Sequence, residues 1–521
     1  MRIICVLIGL IWVHTTLAQE SLVQYSEVTF TSPFEKKVLD DHFLKRNSDM
    51  FVLFMANGVL LTEATIEQSK SRYFSHLKSF ENEKFQSKRN DKKTKLMYDD
   101  IHQVFLQKYE VKSNFEDVFY NGYFNCVSAS ALYALAFEKL NVPYAIKEEP
   151  THVYLIAYPE TDRIMIETTS PLGGFYTMDQ AFKLNYVKML KDQKQISAKE
   201  YGSQDVSTLF DKHYFQDQQN ITLMNLVGIQ YQNDALYKLE ENKNEEAFCQ
   251  LEKAYLFNPN SRCGYLLLVA GTKVMESRKA KDSLHATYLS KLSRYKDYGI
   301  TLEMVQSEFM SVIQQLLYTE GKKSELEIYY RQLEKGITDV EIKNEIAFLY
   351  NYENGRMLYN KARYKESLPY FKEALSLKPK HVDTNAALLG ALSQSFRGNG
   401  NNLALLNELQ KYADQYPSLQ EDNVFNTLFA SSMAVQFNQE YNLDRPVEGE
   451  KYKKLFEDYF AKYSDLTLDN NLVGQAYSSA AVYYFRKGQK AKAKSIIAKG
   501  LEYAPYNYEL LRRQQVINNG N

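Results

Sequence analysis

Apolar residues along this chain change their spacing twice. Leu96–Tyr109 carries Met97, Ile101, Val104 and Phe105 at helical intervals. Residues 126–140 repeat the pattern with Leu132, Leu135, Ala136 and Leu140 on one side. The period then drops from about 3.6 to 2. Pro143–Lys147, His152–Tyr158 and Arg163–Thr168 read as short strands, the last two joined by Pro159-Glu160-Thr161-Asp162. Helices followed by an antiparallel meander predict an α+β unit. Beyond about residue 222 the helical period returns and persists to about 515. The pattern therefore divides the chain into an α+β domain over 19–215, with its core at about 96–175, and an all-α helical solenoid over 222–515.

The second part carries internal similarity. Three segments place small residues, aromatics and a proline at matching offsets. The clearest is Gly355, Tyr364, Ser367, Phe371, Ala374, Pro379. A second is Ala235, Ala247, Leu251, Ala254, Pro259, and a third is Tyr477, Ala481, Tyr484, Ala493, Ile497, Gly500, Pro505. Small residues let paired helices approach, large ones fill the groove, and proline ends the second helix. The stretches between them, about 265–350 and 381–470, keep helical spacing through Leu302, Val305, Phe309 and through Leu403, Leu406, Leu409. They read as degenerate repeats of one array.

The N-terminus is not part of either fold. Arg2 precedes an apolar stretch, Ile3–Val13, and Thr16-Leu17-Ala18 offers small residues at the positions a signal peptidase reads. Residues 1–18 are thus expected to be a cleaved signal peptide, with the mature protein periplasmic or secreted. That stretch is too short to span a bilayer, and no later segment is long and apolar enough to do so. Phe51–Leu61 is interrupted by Asn57-Gly58 and reads as a buried helix or turn.

Composition narrows the classes further. A 45% hydrophobic, 24% charged chain of net charge −1 suits a globular protein and gives no electrostatic case for nucleic acid. The basic run Lys88, Arg89, Lys92, Lys93, Lys95 is interrupted by Asp91 and reads as a solvated loop. Loss of the signal leaves Cys126, Cys249 and Cys263, too few for a disulfide scaffold. Cys249 and Cys263 fall at one repeat junction, where they either pair or fill core space. No Cys/His spacing suits zinc and no dinucleotide fingerprint is present, so no cofactor is expected.

One constellation carries chemistry. Asn125 is a good N-cap and sets Cys126 in the first turn of its helix. Unpaired N–H groups and the positive end of the helix dipole favour thiolate, the nucleophilic form, at such a position. His152 opens one strand and Glu167 closes the next. A two- or four-residue hairpin loop puts both on one face, opposite or diagonal, where the carboxylate can orient the imidazole.

Asn121-Gly122-Tyr123-Phe124-Asn125-Cys126-Val127-Ser128, then Pro150-Thr151-His152-Val153-Tyr154-Leu155, then Ile166-Glu167-Thr168-Thr169 resembles the transglutaminase-like superfamily core. The repeat segments resemble tetratricopeptide (TPR) repeats. The first resemblance implies Cys126 as nucleophile, His152 as general base and acid, and Glu167 as the orienting acid. The chain departs from that family in using Glu rather than Asp, and it has no tryptophan after the signal peptide to stabilise an oxyanion. The backbone N–H of Cys126, with Asn121 or Asn125, would take that part.

Two functions follow. One is an exported thiol-dependent hydrolase or acyltransferase acting on amide bonds of a peptide or protein, with the TPR array holding a substrate or partner protein. The other is a non-catalytic interaction scaffold that keeps a degenerate transglutaminase-like domain for structure.

Overall fold

The computed structural model describes residues 22–58, 61–169, 174–215, 219–396, 402–463 and 465–519. The expected signal segment 1–18 lies outside them. The chain is mostly helical with small sheets, and its contacts divide it into two compact units. The first runs through Ala280 and takes in Arg294–Ile300. The second comprises Lys281–Ser293 and everything from Thr301.

The first unit is built around one helix, Cys126–Lys139. Its sequence has no charged residue until Glu138, so it has no face suited to water, and every residue from Val127 to Phe137 is buried. Phenols tie it to two neighbouring helices, Glu63–Leu77 and Asn90–Phe105: Tyr73 of the first donates to the Leu132 carbonyl at 2.5 Å, and its own Tyr133 hydroxyl donates to the Tyr98 carbonyl of the second at 3.0 Å. On the sheet side, Ser130 Oγ donates to the Val153 carbonyl at 3.4 Å.

Two sheets complete the unit. β1 (Lys108–Tyr109) and β2 (Tyr123–Phe124) form a short parallel pair. β3 (Tyr144–Glu149), β4 (His152–Ala157), β5 (Ile164–Ile166), β6 (Phe175–Thr177) and β7 (Gln219–Ile221) form an antiparallel sheet in the order β6-β5-β4-β3-β7. The central strand β4 is buried from Val153 to Ala157. The meander expected from sequence is its middle, and β6 and β7 extend it at both edges. Two boundaries differ from expectation. The helix read over Leu96–Tyr109 ends at Phe105, because Lys108 and Tyr109 pair with Tyr123 and Phe124. The basic run from Lys88 is not a loop: from Asn90 it is the start of that helix.

The first helix pair of the array, Leu223–Glu240 and Asn244–Phe257, groups with the residues before it. Gln230 Nε2 donates to the Phe54 carbonyl at 2.9 Å, and its Oε1 accepts from Phe115 N at 3.3 Å. Gln250 Nε2 donates to Asn57 Oδ1 at 2.8 Å. Lys253 meets Glu35 at 2.8 Å with both side chains 0% exposed. The boundary expected at 222 thus falls inside a compact unit, and the contacts divide the chain near 280.

The second unit holds the helix pairs Val340–Asn360/Tyr364–Leu377, Asn423–Asn442/Pro446–Lys462 and Asn470–Arg486/Lys490–Tyr503. Each is closed by the turn that also closes the pair 223–257. The middle turn residue is left-handed: Asn242 (φ 60°), Ala362 (56°), Asp444 (58°) and Gly488 (76°). The next residue donates its N–H back into the first helix: Lys243 to Lys238 at 2.8 Å, Arg363 to Leu358 at 3.0 Å, Arg445 to Glu440 at 2.9 Å, and Gln489 to Tyr484 at 2.9 Å. The small-residue positions are tight, as a Cβ added at Gly355 would sit 2.8 Å from the Phe371 ring. Pro259, Pro379 and Pro505 each follow a residue that has left the helical region at the end of the second helix: Asn258 (φ −140°, ψ 72°), Lys378 (−133°, 80°) and Ala504 (−133°, 67°).

No disulfide joins Cys249 and Cys263. Cys263 is buried with its sulfur 3.6 Å from the Leu251 carbonyl, and burial pushes its thiol up to about 12. Among the described residues no helix is long and apolar enough to cross a membrane.

Candidate active site

Cys126 is the first residue of the buried helix, and Asn125 caps it. Asn125 Oδ1 accepts from Val127 N at 3.0 Å and Ser128 N at 2.9 Å, while Ser128 Oγ accepts from Asn125 N at 2.9 Å. This reciprocal box uses the second and third N–H groups of the helix, and Ala129 N donates to the Asn125 carbonyl. The Cys126 N–H is the one first-turn donor that the cap does not use. Asn125 also donates through Nδ2 to the carbonyls of Val111 (3.2 Å) and Ser113 (2.6 Å). Its acceptor and both its donors are thus committed to holding the helix start, and none is left for an oxyanion.

The sheet register sets His152 beside Glu167. Leu155 lies opposite Ile166 and Ala157 opposite Ile164. Continued outward, that register makes His152 and Glu167 diagonal neighbours on one face. The connection Tyr158–Arg163 is longer than the loop read from sequence. It keeps the same parity, with Tyr158 and Arg163 left-handed and both Thr161 N and Arg163 N donating to the Tyr158 carbonyl.

His152 Nε2 lies 2.7 Å from Glu167 Oε2. Cys126 lies close enough to the imidazole to be the largest influence on its protonation. Cys126 and then the hydrogen bond to Glu167 push the imidazole up to about 10, against the opposing effect of burial. Burial pulls the Glu167 carboxyl upward, but bonds from His152 and from the Thr169 hydroxyl and N–H outweigh it and hold the group below its ordinary value. The side chains of His152 and Glu167 are 23% and 16% exposed, so the cluster is shielded yet open to a reactant.

Cys126, His152 and Glu167 are thus brought together. Asn121, the other candidate donor, is exposed, precedes β2, and accepts from Tyr123 N at 2.8 Å through Oδ1, a bond that does not use its amide donors.

Sequence reading missed two phenols. Tyr109, on β1, lies against the Phe124 ring at 5.8 Å, and burial followed by the charges of Cys126 and Glu167 raises its hydroxyl. Tyr237, from the first array helix, is pushed up to about 12 by burial and then by Cys126 and Tyr109. Tyr237 donates to the Val111 carbonyl at 2.7 Å. Among 41 tyrosines, only their places beside the triad in the fold single these out. Among the described residues no group of three or more His, Cys, Asp or Glu is placed to hold a metal ion.

No family model matches the chain, and no curated protein matches its sequence.

Proposed function

We propose that this chain is an exported, thiol-dependent hydrolase or acyltransferase of transglutaminase-like type, acting on amide bonds of a peptide or protein. The observation that carries this reading is His152, held by Glu167 at 2.7 Å and set beside Cys126. A cysteine kept only for packing has no use for an imidazole held in this way by a carboxylate.

The chemistry runs through an acyl-enzyme. Cys126 Sγ bonds to the carbonyl carbon, and the oxyanion that forms is met by the Cys126 N–H, with the Asn121 amide as the side-chain donor still uncommitted. His152 gives its proton to the amine nitrogen as the C–N bond breaks. Water, or an amine in an acyl transfer, then attacks the thioester. His152 takes a proton from this second nucleophile, and the C–S bond breaks to return the sulfur. Glu167 fixes the ring and balances the imidazolium throughout. The tetratricopeptide-like array holds the partner protein, and the segment 1–18 directs export.

A thiol-directed acylating probe tests this on the whole chain, read by peptide mass spectrometry. The expected adduct is on Cys126 and vanishes in Cys126→Ala. Its loss in His152→Ala should be nearly complete, and in Glu167→Gln partial. A wild type that takes no label, while His152→Ala and Glu167→Gln melt several degrees lower, points to the non-catalytic scaffold instead.

A further inference from the structure

We infer that the first helix of the array contributes a positioning residue to the Cys126 site: Tyr237, acting through the carbonyl of Val111. This rests on the reading of Cys126 and His152 as a working pair.

The segment that precedes β2 determines where the Cys126 helix begins. Glu110 N donates to the Phe124 carbonyl at 2.8 Å, and Asn125 Nδ2 reaches back to the carbonyls of Val111 and Ser113. Packing does little to fix this segment, because Val111 is 52% exposed and Lys112 is exposed beside it in a turn. Its position is set by hydrogen bonds. The Val111 carbonyl has two lone pairs, one used by Asn125 and the other by the Tyr237 hydroxyl at 2.7 Å.

Tyr237 is well placed to act as the fixed end. Its helix is anchored in the same unit by Gln230, which bonds both Phe54 and Phe115, and by the partner helix through Gln250 and Lys253. Lys112 lies over the Tyr237 ring at 5.2 Å and pairs loosely with Glu240 and Glu241 at 3.7 and 3.8 Å. The turn is therefore clamped to the array helix at two successive residues. Through Val111 the clamp passes to Asn125, the cap whose geometry sets the first turn and hence the direction of the Cys126 sulfur toward His152. A shift of well under an ångström in a capped turn is enough to lengthen one hydrogen bond.

The experiment compares wild type with Tyr237→Phe, His152→Ala and the double variant, as full chains. Alkylation of Cys126 by iodoacetamide is followed by peptide mass spectrometry, alongside thermal melts. Tyr237→Phe keeps the ring and loses only the donor. It should slow Cys126 alkylation about fivefold, the worth of one neutral hydrogen bond, with little change in melting. In the His152→Ala background the same substitution should have no effect, because there is no imidazole left to be aligned with. If Tyr237→Phe alkylates like wild type while His152→Ala is slow, the clamp is wrong and the proposed pair survives. If Tyr237→Phe slows alkylation equally in both backgrounds, the residue acts on exposure and not on alignment, and the inference is overturned. If His152→Ala itself alkylates like wild type, the inference falls together with the reading beneath it.

Discussion

Two helix pairs on this chain share one internal design and differ in what surrounds them. Aligned on their turns, Asn242 against Gly488, the pairs 223–257 and 470–503 match residue for residue inside. Tyr231 stands with Tyr477, Ala235 with Ala481, Ala247 with Ala493, Leu251 with Ile497, and Pro259 with Pro505. The outward positions diverge. Gln250, hydrogen-bonded to Asn57, corresponds to Ile496, which is buried in an apolar cluster. Lys253 is wholly buried against Glu35, while Lys499 is 43% exposed and meets Glu502 and the Tyr503 ring at the end of its own helix. The repeat motif encodes how two helices pack on each other. It does not encode what the pair packs against, and that choice makes one pair part of an α+β unit and leaves the other in an array.

The largest test of this contrast is Lys253→Ala. It strands the Glu35 carboxylate in the interior, and melts or denaturant curves of the first unit should show a loss of about 3–5 kcal/mol. Lys499→Ala should leave stability unchanged. Replacing both ends of the buried pair, as Glu35→Leu with Lys253→Met, should recover much of the loss. Equal damage from Lys253→Ala and Lys499→Ala would mean that the two environments do not differ as described.

Glycine replacements should instead hurt both pairs alike, because they act on the shared interior. A Cβ at Gly228 would lie 2.6 Å from Asn258 Cβ and 2.9 Å from the Ala254 carbonyl, and one at the equivalent Gly474 would lie 2.1 Å from Asn507 Cγ. Gly228→Ala and Gly474→Ala should each cost about 1–3 kcal/mol by denaturant titration.

A pH effect distinguishes the first unit from the second. The folded-state value of His152 is raised to about 10, above its ordinary 6.5. Its contribution to stability is therefore complete below about pH 6.5 and declines as pH rises toward 10. The melting temperature of wild type should exceed that of His152→Gln by most at the low end of that window, and the gap should close as pH climbs. A gap that widens with pH would show the imidazole neutral in the folded protein.

The smallest effect expected is a gain. Ala362 holds a left-handed turn position that Gly488 holds in the equivalent pair. Ala362→Gly should stabilise the second unit by about 0.5–1 kcal/mol, measured by denaturant titration.

Much of this was legible from residue spacing. The change of period locates the Cys126 helix and the three middle strands, and an even-length hairpin loop places His152 and Glu167 on one face, a parity that the longer observed loop keeps. β6 and β7 were not legible, because three-residue edge strands such as Gln219–Ile221 are too short to show alternation. Asn125 is legible as a cap, but its two donor bonds, to carbonyls 12 and 14 residues earlier, depend on tertiary structure and are not readable locally. The same holds for Tyr237, which in sequence is one tyrosine of a helical repeat and in space is a neighbour of Cys126. Lys253 was hidden for a related reason, since a lysine on a repeat helix reads as solvated until a buried carboxylate is brought to it.

The central claim is that His152 makes Cys126 a working nucleophile. The most direct measurement is the rate of Cys126 alkylation by iodoacetamide at neutral pH in wild type, His152→Ala and Glu167→Gln, read on the Cys126 peptide. The account predicts that wild type outpaces a simple thiol, that His152→Ala slows the reaction at least about tenfold, and that Glu167→Gln falls between them. Identical rates in all three proteins, at the pace of an ordinary thiol, would contradict it.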